Sequence, residues 1–141
     1  MFRRSVPVLL ASLIFACILI AQQAQEPAKP NPPSEEKIPQ NAAQKANPVK
    51  PTPELIAKAK KTYAIDCAMC HGENGDGKGD MASDIKNVTD FTKPDAMKNR
   101  TDGELFYIIR KGKGDMPPEG DRAKDDDVWN LVNYVRAFAK K

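Results

Sequence analysis

The sequence predicts an all-α domain over residues 54–141, and three observations carry that prediction. Three stretches repeat apolar residues at helical spacing. Each stretch is bounded by proline, glycine or a capping residue that starts or stops a helix. The first runs into Cys67-Ala68-Met69-Cys70-His71, the C-x-x-C-H pattern of covalent haem attachment.

Residues 1–25 read as an export segment. Arg3 and Arg4 give a positive start, and Val6 to Ala21 is a mostly apolar run of roughly 16 residues, between a signal-peptide core and a membrane span. Cleavage after Ala21 or Ala24, retention as an anchor, and lipid modification of Cys17 all stay open. Residues 26–53 read as a disordered linker rich in Pro, Ala and Lys, with too little apolar surface to offset its ordering entropy. Extended as polyproline II, a spacer of roughly 30 residues would reach up to ~100 Å, which suits a tether.

The domain itself is assigned to residues 54–141. A first helix from Glu54 to about Met69 buries Leu55, Ala59 and Tyr63, with Pro51 and Pro53 preventing backward extension. Gly72 to Asp80 is a glycine-rich loop. Its spacing fits neither a calcium loop, since Lys78 and Ile85 fall where oxygen ligands belong, nor a phosphate loop, since Gly79 follows Lys78. Met81 to Asn99 is irregular, with Val88 and Phe91 as core contributors. Thr101-Asp102-Gly103-Glu104 is a capping box opening a helix to about Lys111 that buries Leu105, Ile108 and Ile109 and ends at Gly112. The last helix, Lys124 to about Lys140, carries Asp125, Asp126 and Asp127 at its positive dipole end and the stripe Val128, Leu131, Val132, Val135, Phe138.

Composition narrows the chemistry. From Glu54 onward 16 basic residues meet 16 acidic ones, so no basic field supports nucleic-acid binding. Three cysteines, one of them in the leader, argue against a disulfide framework. His71 is the single histidine, which removes bis-histidine ligation and two-histidine zinc sites. A zinc site of Cys67, Cys70 and His71 would need a carboxylate or water as its fourth ligand. On a helix, residues three apart share a face, so both thiols reach one porphyrin edge while His71 turns a ring nitrogen to the iron. The far-side ligand then falls to a methionine. Met81, Met97 and Met116 remain open, and the Gly112 to Pro118 turn, with permissive glycines and rigid prolines, favours Met116.

The order of a first helix, Cys67-Ala68-Met69-Cys70-His71-Gly72, a glycine-rich loop, a middle helix, Gly114-Asp115-Met116-Pro117 and a last helix with Leu131-Val132-Asn133-Tyr134-Val135 resembles the class I mono-haem c-type cytochromes, close to cytochrome c6 and the cbb3-oxidase cytochrome modules. The resemblance implies a small cytochrome c fold of three to four helices around one haem c. It implies thioethers at Cys67 and Cys70, His71 and Met116 as axial ligands, and Ala59 and Tyr63 packed against Leu131 and Tyr134. Relatives use a carbonyl near a loop proline to bond the ligand's other ring nitrogen; here that region reads Met81 to Ile85 and names no partner.

The expected function is one-electron transfer between an oxidase, reductase or dehydrogenase, with no small-molecule substrate, no nucleic acid and no enzymatic activity. Leader and motif together place it on the periplasmic side of a bacterial envelope, soluble or tethered by its N-terminus. Lys111 and Lys113 would flank the haem edge and meet an acidic partner. The alternative is a gas-binding sensor in which Met116 is labile.

Overall fold

The computed structural model describes residues 37–139, all within one unit, Pro32–Lys141. The expected export segment with Cys17, and the linker up to residue 36, lie outside the described residues. The described residues form α1 (Gln40–Ala43), α2 (Pro53–Asp66), α3 (Ala68–His71), α4 (Asp102–Lys111) and α5 (Asp125–Phe138), with 3₁₀ turns at Ala82–Asp84 and Gly120–Arg122. No strand occurs among them, as an all-α fold requires. None of these helices is long and apolar enough to cross a membrane.

The helix ends follow local chemistry. Thr52 caps α2 by accepting a bond from the Leu55 amide at 3.3 Å, with Pro53 at the first helical position. The capping box of α4 is complete, with Glu104 N–H donating to Thr101 Oγ1 at 3.1 Å and Thr101 N–H to Glu104 Oε2 at 2.8 Å. Gly112 ends α4 with φ +79°. At the start of α5, Asp127 pairs with Lys58 and Asp125 with Arg110 at 2.6 Å, so neighbouring helices answer two of the three acidic side chains.

The core lies where α2 and α4 pack on α5. Val128, Leu131, Val132, Val135 and Phe138 are all buried, as their spacing predicts, and Trp129 and Asn130 join them. Tyr63 stands between Tyr134 and Phe138, with both ring centroids at 5.2 Å, and Ala59 and Leu131 belong to the same cluster. Trp129 stacks on Phe106 at 4.1 Å and joins α5 to α4. Arg136 fastens the start of α4, bonding Asp102 and the Arg100 carbonyl, the latter at 2.6 Å. The Asn130 amide donates to the Leu55 carbonyl at the α2–α5 crossing.

Two expectations are corrected. The first helix does not run to Met69: it ends at Asp66, Cys67 leaves helical geometry (φ −121°, ψ −37°), and a short turn restarts at Ala68. Tertiary contacts hold the restarted turn. Gly79 presses its backbone against the Ala68 and Met69 carbonyls where a Cβ would collide. Met81 N–H bonds to Met69 O at 2.9 Å and Gly79 N–H to Cys70 O at 3.2 Å, so the following loop docks on this turn.

The second correction concerns the disordered linker expected for residues 26–53. Residues 38–52 are ordered against α4 and α5, held by side-chain amide and hydroxyl bonds together with Val49 packed against the core. A composition rule that weighs apolar content has no way to register such bonds.

Candidate haem-binding site

A cavity of about 510 Å³ opens between the motif turn, the Ile85–Phe91 loop, α4, the Lys113–Pro117 turn and α5. This lies in the usual range for a cofactor site. Cys67, Cys70, His71 and Met116 all line the cavity. Ile108, Ile109, Leu105, Leu131 and Val135 make the floor largely apolar. A flat hydrophobic ring with two thiol-reactive vinyl groups along one edge and two axial positions fits this donor set and this lining.

His71 is positioned by backbone and by a ring. Its Nδ1 lies 3.4 Å from the Thr89 carbonyl oxygen, which can only accept, so Nδ1 carries the proton and Nε2 keeps its lone pair. Phe91 stacks on the imidazole at 4.5 Å and 18°, and Phe91 N–H bonds to Gly75 O at 2.6 Å. Gly77 lets the Thr89 segment approach, since a Cβ there would meet the Val88 and Thr89 carbonyls at 3.3 and 3.4 Å. Burial lowers the histidine pKa, partly opposed by the Thr89 carbonyl, so the ring is neutral at pH 7, the form that ligates metal. The partner that the Met81–Ile85 region does not supply is thus Thr89.

Burial, reinforced by the carboxylates of Asp66 and Glu119, pushes the Cys67 thiol up to about 12, so it is uncharged at neutral pH. Tyr63 braces the motif from below: its hydroxyl donates to Gly72 O at 2.8 Å, and burial pushes its own pKa up. Among the described residues no group of three His, Cys, Asp or Glu side chains converges as a metal-ion site.

Met116 sits on a tight turn. Lys113 and Met116 exchange backbone bonds of 3.1 and 3.0 Å, with Gly114 at φ +57° as the first central residue. Gly112 packs under that turn, where a Cβ would lie 2.5 Å from Met116 O, and Glu119 N–H ties the far end to Ile109 O at 2.8 Å. The turn is therefore clamped at both ends. Met81 is 42% exposed and off the cavity wall. Met97 also lines the cavity but is 4% exposed and sits within the main core cluster. Lys113 lies on the cavity rim; Lys111 is exposed beyond it. Thr89 acts through a backbone atom, so no side-chain signal marked it.

Helices packed around an apolar cavity that carries a C-x-x-C-H wall define a class I cytochrome c domain. Comparison with known proteins agrees. Residues 54–135 match the family described as cytochrome c oxidase, cbb3-type, subunit III, and the chain belongs to that family. It is 35% identical to cytochrome c6 of Cladophora glomerata over 88 residues, covering 58% of this chain and 87% of that protein. It is 32% identical to the cbb3-type cytochrome c oxidase subunit FixP of Azorhizobium caulinodans, over 57% of this chain but only 26% of FixP. A solved chain of the Kuenenia stuttgartiensis reducing HAO-like protein complex Kustc0457/Kustc0458 superposes with a TM-score of 0.57 at 29% identity, covering 64% of this chain and 46% of that one. The family implies haem c and haem-based electron transfer.

Proposed function

We propose that the protein is a non-enzymatic electron carrier with a single haem c joined to Cys67 and Cys70, ligated by His71 and Met116, on the periplasmic side of the cell envelope. The observation that carries the reading is one cavity lined by all four of these residues, with His71 already held in the ligating tautomer by Thr89. Bound there, haem c supplies a one-electron couple at its iron. The chain does the rest. Cys67 and Cys70 would bind the haem covalently, His71 and Met116 would ligate its iron, and the apolar lining would limit water, which with Met/His ligation favours a raised potential. With the iron so held by the chain, the reading favours exchange with a redox protein: an oxidase, reductase or dehydrogenase. Lys113 on the rim, with Lys111 nearby, would steer an acidic partner and chiefly raise the association rate.

Intact-mass analysis of the native protein tests attachment, leader cleavage and Cys17 lipidation together; a mass without one covalent haem rejects the reading. Absorption of the oxidised protein should show an iron–methionine charge-transfer band that Met116→Ala abolishes. Loss of the band in Met97→Ala or Met81→Ala instead would reassign the ligand. Carbon monoxide binding by the reduced wild type would favour the gas-sensing alternative.

A further inference from the structure

We propose that residues 38–52 are a strap that commits the N-terminal side of the chain to leave the domain from the face turned away from the haem cavity. Asn47 is its clasp. Its Nδ2 donates to Trp129 O and to Asn133 Oδ1, both at 3.0 Å, while its Oδ1 accepts from Val49 N–H at 2.9 Å. Asn133 Nδ2 returns a bond to Val49 O at 2.9 Å, so the two amides lock each other. Further toward the N-terminus, Thr101 Oγ1 donates to Ala43 O at 2.6 Å while still capping α4. There α1 lies directly on Gly103. The Ala42, Ala43 and Lys45 carbonyls crowd the space where a Cβ would be, the last two at 3.0 and 2.9 Å.

Helix geometry gives the side. On α5, Leu131 and Val135 line the cavity. Trp129 and Asn133 are each two residues from one of them, about 200° around the axis. On α4, Gly103 stands in the same relation to Leu105, another cavity residue. Strap and cavity therefore occupy opposite sides of the same two helices. The strap precedes residue 54, where the family match begins. Docking removes roughly 15 residues, ~45 Å at full extension, from the reach of any tether. More importantly, it turns the cavity outward: a carrier held through its N-terminal side presents the cavity to partners arriving from solution, not to the surface that holds it.

The inference uses the haem reading only for its second readout. Gly103→Ala is the selective lever, because the methyl enters the strap's site while alanine is the better helix former in α4. In holoprotein, trypsin should cut after Lys45 slowly in wild type and about tenfold faster in Gly103→Ala, since cleavage tracks the open population; Asn47→Ala should act in the same direction. For orientation, each protein is held on an electrode through a hexahistidine handle inserted after Pro33. Direct electron exchange should be slow in wild type and about tenfold faster once the strap is released, while exchange with a diffusing small mediator stays equal. Equal cleavage in all three proteins would overturn the strap, and equal or faster direct exchange in wild type would overturn the orientation. Wild type lacking haem absorption would instead reject the haem reading, and the Lys45 cleavage comparison would still decide the strap.

Discussion

Gly112 precedes the Met116 turn and Gly114 lies within it; both need a positive φ, and their surroundings are very different. Their φ values are +79° and +57°. Alanine at Gly114 costs about 1–2 kcal/mol. Gly112, with ψ 171°, sits in a region essentially reserved for glycine, where the cost is about 1–3 kcal/mol. At Gly114 nothing lies within 4 Å of a built Cβ, and the penalty is the whole cost. At Gly112 the Cβ would stand 2.5 Å from Met116 O and 3.0 Å from Pro118 N, against an ordinary carbon contact of about 3.5 Å. Relief requires a displacement of about 1 Å in the turn bearing the ligand, which adds about 1–3 kcal/mol of overpacking. Gly112→Ala should therefore melt at least ~4 °C below Gly114→Ala. The oxidised spectrum separates the variants further, since Gly114→Ala should keep the iron–methionine band and Gly112→Ala should weaken it. Equal melting temperatures, or an unchanged band in Gly112→Ala, would refute the idea that close packing under the turn fixes Met116.

Further outcomes follow from the same geometry. Tyr63→Phe should cost about 0.5–1.5 kcal/mol by denaturant titration, the modest end for a buried site, because Gly72 O keeps its bond from Gly75 N–H at 3.0 Å. Phe91→Leu should lose about 1 kcal/mol of stacking and shift the electron paramagnetic resonance spectrum of oxidised holoprotein as the His71 plane is freed; an unchanged spectrum would show that the stack does not orient the ring. Hydrogen bonds from Thr92 hold the Asp90 pKa below the ordinary carboxylate range. Its contribution is therefore present above about pH 4 and lost as pH falls through the lower folded value, and Asp90→Asn should flatten that acid limb in urea midpoints. Chain with both Cys67 and Cys70 replaced by alanine should lose cooperative melting, because a core of roughly 90 residues is marginal without the haem's apolar mass.

The sequence by itself determined what depends on neighbours along the chain. The capping box of Thr101 and Glu104, the Gly112 stop, and the stripe from Val128 to Phe138 are encoded within one or two turns and appear in the structure where the sequence places them. Tyr63 against Tyr134 is expected from the family resemblance, not from the stripe, and the rings meet at 5.2 Å. Tertiary structure alone decided the rest. The turn that restarts at Ala68 is held by a remote loop, with Met81 N–H on Met69 O and Gly79 N–H on Cys70 O. Asn47 orders a proline-rich segment by bonding two groups on α5 more than 80 positions away. Thr89 orients His71 through a carbonyl, and every residue carries one of those. Side-chain pattern is written in the sequence, whereas which backbone oxygen meets which donor is settled only when remote segments pack.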